Sequence, residues 1–422
     1  MKNIFIEQNL HWQDKTYSSV KREALDKLIS YLPLKQIITI TGLRRCGKST
    51  LAKQAINYLV ESGVDKKNIF FINLEHPYFL EFRHDANFLN VIYDAYVKLM
   101  DPEGKTYFIM DEIQYFENWQ VFVKSKYETS DIKFIVTGSN SSMLSNELNT
   151  LLSGRSLNIH LDTFSFREFL DYKGIGYRDE LSRIANKIAI DRAKEEYITW
   201  GGFFEVFEQD DASIKRDILL SYAKNIIYQD IVPRFGIRNS QTIERVFFYL
   251  LSNITGVLNY TTLAKTFDIS DKTVKEYIRY FEDVFLLKRI DRFHTKQKES
   301  IKSTKKIYLL DNGFLQIAPR HSKNQGAALE NTVFIELNKQ CDVTYMKERY
   351  EIDFKCTDTL YQVSYELLDD KTTRRELRAF EHLDKDKKFA RKLITFDKAD
   401  IQREDISSVS IEEFLIDEAD RE

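Results

Sequence analysis

The sequence predicts an α/β fold: a parallel-sheet domain with helices on both faces, then a helical lid, a winged helix and a small α/β C-terminal domain. Three observations carry the first part. The β-branched run Gln36-Ile37-Ile38-Thr39-Ile40-Thr41 reads as a buried strand. It leads into Gly42-Leu43-Arg44-Arg45-Cys46-Gly47-Lys48-Ser49, and apolar residues at helical spacing follow from Leu51 to Val60. Beyond them, short apolar strands alternate with amphipathic helices, the pattern of a parallel sheet.

Ahead of the first strand, residues 15 to 33 hold Val20, Leu25, Leu28, Ile29 and Leu32, an amphipathic helix. The glycine loop fits a phosphate cradle. Gly42 and Gly47 let the backbone turn tightly and aim the N–H groups of Arg44, Arg45 and Cys46 inward. The following helix adds the positive end of its dipole. Lys48 is placed to reach the β and γ phosphates of ATP, and Ser49, followed by Thr50, offers a hydroxyl to Mg²⁺.

Residues 68–75 read as a second strand and Asn87 to Leu99 as a helix. A third strand, Tyr107-Phe108-Ile109-Met110, ends in Asp111-Glu112. At that place Asp111 would hold Mg²⁺ through water, and Glu112 would orient and deprotonate the attacking water. A short helix runs from Trp119 to Tyr127. The fourth strand, from Lys133 to Gly138, ends in Ser139-Asn140. Ser139 reads either as a γ-phosphate sensor or as part of a cap for a helix beginning at Met143. Arg155 follows Leu151-Leu152-Ser153-Gly154 and precedes a fifth strand, Ser156 to Leu161. It reads as an arginine finger, in cis or across a subunit interface, or as a surface arginine after a helix-ending glycine.

These stretches resemble one family. Thr41 to Thr50, Asp111-Glu112-Ile113-Gln114 with Trp119, Thr137-Gly138-Ser139, Gly154-Arg155 and Phe164 to Phe169 look like the prokaryotic AAA+ ATPases whose ATPase module precedes a C-terminal domain of unknown function. The resemblance continues through Gly201-Gly202-Phe203, Asp230-Ile231, Ser270 to Tyr277, Tyr308 to Gly313 and Glu330-Asn331, so it spans nearly the whole chain. It implies ATP binding and hydrolysis. One departure is Phe204, where members of the family have proline.

The rest of the chain divides as follows. Residues 1–164 form the ATPase core and 165–240, helical and rich in Leu, Ile, Tyr and Phe, a lid over the nucleotide. Residues 241–306 form a winged helix with a basic linker. Its helices are Thr262 to Phe267 and Lys272 to Phe281, the second with Val274, Tyr277, Ile278 and Phe281 on one face, and its wing strand is Phe285 to Arg289. The would-be recognition helix exposes Asp271, Lys272, Lys275, Glu276 and Arg279, a net charge of only +1. Residues 288–306 hold eight Lys/Arg against Asp291 and Glu299, a net of +6. That stretch either tracks DNA phosphates or is a solvated linker.

Residues 307–422 resemble a restriction-endonuclease-like core, with Glu330 on a helix, Asp353 on one strand and Gln362-Val363-Ser364 on the next. Such a core activates water with a lysine where Ser364 stands here. Lys355 is the alternative lysine on the strand of Asp353, and a degenerate core without nuclease activity is the favoured expectation.

Whole-chain properties set the outer bounds. At 422 residues, two to four domains of roughly 150 residues are expected. Hydrophobic content of 43%, charged content of 30% and a net charge of −3 fit a globular chain whose nucleic-acid contacts must be local. The cysteines Cys46, Cys341 and Cys356 have no metal spacing, and their odd number argues against a disulfide framework, which fits a cytoplasmic protein. No apolar run approaches the length of a membrane span. The expectation is a Mg²⁺-dependent ATPase that repositions its C-terminal domains, acting on DNA or on a protein partner, or as a homo-oligomer. The rival is a nucleotide-gated switch with little turnover. An ATP-controlled nuclease is a third, which Ser364 opposes.

Overall fold

The computed structural model describes all 422 residues except 86, 141–153, 295, 320–323, 368–369, 385–386, 402 and 419–422. The expected helix from Met143 and the Leu151-Leu152-Ser153 stretch therefore lie outside the described residues. The chain divides into two compact units, Met1–Thr163 with Asp283–Phe285, and Phe164–Glu282 with Leu286–Glu422.

The first unit is built on a five-stranded sheet of β1 (Ile37–Thr41), β2 (Ile69–Asn73), β3 (Thr106–Asp111), β4 (Ile132–Gly138) and β5 (Ser156–His160). Its order is β2-β3-β4-β1-β5, and every pair is parallel. A parallel sheet must be covered on both faces, and β1 and β4 are buried at every position. Phe70, Phe108 and Phe134 pack with Tyr96 and Phe122 under the helices Phe88–Met100 and Trp119–Thr129. The order sets the C-terminal ends of β1, β4 and β3 side by side, with Thr41 opposite Gly138 and Met110 opposite Val136.

The helix expected over 15–33 is confined to Ala24–Tyr31. Upstream, the backbone of Tyr17 exchanges hydrogen bonds with Asn57 at 3.1 and 2.8 Å, and Arg22 N donates to Gln54 Oε1 at 3.2 Å. Side chains of the helix Lys48–Glu61 thus hold that segment in irregular form.

The second unit carries a mixed seven-stranded sheet: β6 (Leu287–Arg292), β7 (Lys305–Leu309), β8 (Thr344–Lys347), β9 (Glu351–Cys356), β10 (Thr359–Ser364), β11 (Ala390–Thr395) and β12 (Ser407–Ser410). Its order is β12-β11-β10-β9-β8-β6-β7. Two expectations change here. The segment 288–306 is not a linker, because it holds β6, the helix Gln297–Lys302 and most of the turn into β7. The boundary at 306/307 falls inside β7, whose antiparallel pairing with β6 joins both to one sheet. The helices before them run Tyr260–Phe267 and Asp271–Asp283, and Val274, Tyr277, Ile278 and Phe281 are buried. Thr255 N and Leu258 N donate to Ile307 O and Lys305 O at 2.9 and 2.7 Å, so a short extended segment lies against β7.

The helices of residues 165–240 belong to this second unit. A Cβ on Gly201 (φ 75°) would fall 1.9 Å from Asp311 Oδ1. Gly202 N donates to Asp311 Oδ2 at 2.8 Å, and Asn312 Nδ2 to Ile198 O at 3.0 Å. Two stretches a hundred residues apart in sequence are one buried polar joint. Against the expectation drawn from the odd cysteine count, Cys341 is bonded to Cys356, with Cα atoms 5.8 Å apart, and Cys46 alone is left over. The turn of chain between a helix end and β9 brings them together, and spacing along the chain does not reveal that. Among the described residues, no helix is long and apolar enough to cross a membrane.

Candidate functional site

The loop after β1 folds as the sequence requires. A Cβ on Gly42 would sit 2.0 Å from Leu161 O, so only glycine fits against the end of β5. Arg45 (φ 70°) and Gly47 (φ 101°) take left-handed conformations that curl the backbone back over the start of the helix Lys48–Glu61. Lys48 is 3% exposed and donates to the loop carbonyls of Gly42 and Leu43 at 3.2 and 3.1 Å. Its Nζ lies 3.7 Å from Glu112 Oε1. Cys46 is buried against the loop, and burial pushes its thiol up.

Arg22, which carries no motif signature, braces this loop from behind. It is 2% exposed and donates to Cys46 O at 2.5 Å and Asp162 O at 2.8 Å, tying the loop to the exit of β5. Arg44 pairs with Glu75 beyond β2, and its other nitrogen reaches Tyr115 Oη at 3.3 Å. Tyr115 in turn donates to Glu75 at 3.1 Å. The Arg44 guanidinium is therefore held by side chains from the exit of β2 and the turn after β3.

The carboxylates meet the loop across β4. Thr137 Oγ1 donates to Asp111 Oδ1 at 2.6 Å and accepts from Glu112 N at 3.0 Å. Burial, reinforced by the neighbouring Glu112, pushes the Asp111 carboxyl up to about 6, against hydrogen bonds from Thr137 and Ser49 and the charge of Lys48. The Ser49 hydroxyl and Asp111 carboxylate are thus in contact, two hard oxygens of the kind Mg²⁺ takes beside phosphates and water. Among the described residues no group of three or more His, Cys, Asp or Glu is placed to hold a metal. Glu112 takes a left-handed backbone (φ 54°) that a non-glycine residue adopts at a cost, and its side chain is 11% exposed. Ser139 Oγ lies 3.5 Å from Glu112 Oε2, and Gln114 Nε2 donates to both Glu112 and, at 3.3 Å, Ser139. The structure therefore brings together Lys48, Ser49, Asp111, Glu112 and Ser139.

It does not bring Arg155 to them. Arg155 O accepts from Ile37 N at 2.8 Å, at the N-terminal end of β1, whereas the loop leaves the C-terminal end. Five strand residues, about 16 Å at ~3.3 Å each, separate the two ends. Its guanidinium pairs with Glu128 at 2.6 Å and lies over Tyr127. The cis finger is excluded by this placement.

In the second unit Glu330 and Asp353, expected at the positions of a nuclease-like core, gather with Glu351 around Lys306. Lys306, on β7, lies 2.5 Å from Glu351, 3.3 Å from Glu330 and 3.9 Å from Asp353. Tyr308 donates to Glu330 at 2.7 Å, and Val363 N to Asp353 at 2.9 Å. Burial alone would lower Lys306, but Glu330, Asp353 and Glu351 outweigh it and hold the ammonium above its ordinary range. Burial and Glu330 raise Asp353 well above the usual carboxylate range. Lys355 is elsewhere, donating to Thr357 O at 2.5 Å and lying over Phe293 and Phe389. Gln362 donates to Glu376 at 2.7 Å, and Ser364 to Glu366 O at 3.1 Å.

The basic stretch is largely paired within the chain. Arg289 bonds Glu282, Lys305 lies 2.6 Å from Asp291, Lys288 donates to Asn338 at 2.6 Å, and Lys296 lies 3.5 Å from Glu299.

The chain is similar to several known proteins. The profile described as an AAA domain matches residues 34–170, and a domain of unknown function, DUF8612, matches residues 191–325. An uncharacterized protein of Haemophilus influenzae is 32% identical over 356 residues, covering 81% of this chain and 86% of that protein. An uncharacterized protein of Methanocaldococcus jannaschii is 32% identical over 389 residues, covering 87% and 83%. Among solved structures, the Aeropyrum pernix ORC1 protein in complex with DNA aligns at 12% identity and a TM-score of 0.34, over 74% of this chain and 93% of that one. Cdc6p of Pyrobaculum aerophilum aligns at 10% identity and a TM-score of 0.27, over 72% and 94%.

Proposed function

We propose, from the premise that the chain belongs to the same family as its Haemophilus influenzae and Methanocaldococcus jannaschii relatives and carries an AAA domain, that it binds ATP in its first unit and hydrolyses it. The observation that carries this reading is the meeting of three strand ends. There the loop lysine Lys48 lies 3.7 Å from Glu112, and Ser49 bonds Asp111 on the neighbouring strand end. A phosphate chain entering the loop would take the backbone N–H groups of residues 42–50 and exchange the carbonyl partners of Lys48 for its β and γ oxygens. Ser49 and Asp111 would hold Mg²⁺, which when bound neutralises charge on the phosphates. Glu112 takes the proton from water, and Ser139, beside it, reports the γ-phosphate. Turnover would then reposition the second unit, whose partner is a protein or DNA.

Glu112→Gln should keep ATP affinity and slow phosphate release by roughly 10²-fold or more, because an amide cannot take the proton. Wild-type protein that binds ATP without steady-state phosphate release would replace the hydrolase by a nucleotide-gated switch.

Arg155, remote from its own loop, acts in this reading on a neighbouring subunit of a homo-oligomer. Arg155→Ala should bind ATP normally and lose about 10³-fold or more in rate. Mixing it with Lys48→Ala protein should restore part of the activity, since each then supplies what the other lacks. Full activity in Arg155→Ala alone would remove it from the site.

A further inference from the structure

Gln114 follows the catalytic carboxylate by two residues, in the short turn Ile113–Tyr115. The left-handed backbone of Glu112 folds that turn back, so the two side chains meet. Gln114 Nε2 donates to Glu112 Oε2 and, at 3.3 Å, to Ser139 Oγ. A carboxylate only accepts, so the amide must present its NH₂ end to Glu112. Its carbonyl then faces the other way, and Gln114 Oε1 is buried without a hydrogen-bond partner among the described residues. A buried acceptor left unmet is costly, and this one sits beside the group that would accept a proton from water.

The attacking water has two O–H groups to satisfy while its lone pair points at phosphorus. Glu112 takes one. We propose that Gln114 is a further catalytic residue, its Oε1 accepting the second O–H of that water. The inference rests on the hydrolase reading above. In the step, the water's first O–H breaks and its proton passes to Glu112. Its oxygen bonds to the γ-phosphorus, and the bond from that phosphorus to the bridging oxygen breaks, the electron pair leaving with ADP. Gln114 keeps its atoms throughout and, by holding the second hydrogen, fixes the direction of the lone pair. The same amide's NH₂ group holds Glu112 in place, so one side chain sets the positions of both base and nucleophile.

The test compares four proteins in single-turnover hydrolysis and ATP titration with Mg²⁺: wild type, Glu112→Gln, Gln114→Met and the double variant. Methionine keeps the length and packing of glutamine while removing donor and acceptor. Gln114→Met should bind ATP within about 3-fold of wild type and hydrolyse it ~10²-fold more slowly, the cost of a misdirected nucleophile. The double variant separates direct contact from mere support of Glu112. If Gln114 holds the water, the residual rate of Glu112→Gln should fall about another 10-fold when Gln114 is also replaced. A wild-type rate in Gln114→Met overturns the proposal, and so does a double variant no slower than Glu112→Gln. Absence of wild-type hydrolysis, or a Glu112→Gln protein as fast as wild type, would instead fell the hydrolase reading and this inference with it. A Gln114→Ala protein, with the same two readouts, replaces the methionine variant if that one does not fold.

Discussion

Each unit of this chain buries a lysine among carboxylates, and the two are built for opposite ends. Lys48 holds backbone carbonyls of its own loop at 3.1 and 3.2 Å, with Glu112 at 3.7 Å. Lys306 lies between Glu351, Glu330 and Asp353. A neutral carbonyl is a partner an ammonium can exchange for a phosphate oxygen, and the surrounding loop adds N–H groups that favour an anion. Carboxylates are not exchanged in that way. Three carboxyl groups already engage Lys306, and a phosphate there would have to displace them. Burial of a lysine is thus no sign of a site. What decides is whether its partners are charged, and whether donors converge on the same point.

The comparison breaks first at Lys48. Lys48→Ala should lose ATP binding to below detection in a nucleotide titration, because the loop loses its mobile cation on the β and γ phosphates. It should cost less stability than the loss of Lys306, since the partners left behind include carbonyls that water can serve. Wild-type affinity in this variant would end the assignment of the loop.

Lys306→Met should show the reverse pattern. Removing one partner of a buried ion cluster leaves uncompensated carboxylates, worth roughly 3–5 kcal/mol in denaturant unfolding. ATP affinity of the folded protein should stay at the wild-type value. An unchanged unfolding midpoint would mean that the cluster is open to water and that the contrast drawn above is false.

The smallest effect concerns pH. The first unit also buries His11, whose Nε2 meets Ile69 O at 3.0 Å. Burial pulls this imidazole down to about 4, with the Ile69 carbonyl opposing and Lys66 assisting. In the unfolded chain the same group titrates near 6.5. Between those values the unfolded state binds the extra proton, so stability falls as pH drops from about 6.5 toward 4, by at most ~1.4 kcal/mol per unit. His11→Gln should flatten the acid side of the melting temperature against pH. An equally steep acid limb in that variant would assign the loss to other groups.

The sequence by itself determined the strands of the first sheet and most of the residues of its candidate site. A phosphate loop is contiguous, so Gly42 to Ser49 carries its own turn, donors and lysine within eight residues. The strands of a parallel sheet are buried on both faces and read as mostly apolar runs, which made β1, β3 and β4 legible, and Asp111, Glu112 and Ser139 lie where those strands end. Tertiary structure alone decided the rest, because each of those features joins groups far apart in the chain. Arg22 reaches the loop from twenty residues upstream, and nothing local marks it. Arg155 has the right place in the order of elements but sits at the wrong end of β5 for its own loop, and a list of elements does not show which end of a strand a residue occupies. Lys306 looked like one charge in a basic run, yet pairing of β7 with β6 carries it into the carboxylates of another segment. The disulfide of Cys341 with Cys356 and the joint of Gly201 with Asp311 have the same cause. Local propensity fixes an element, whereas contacts between elements depend on how sheets are ordered, and that order is settled by packing of the whole chain.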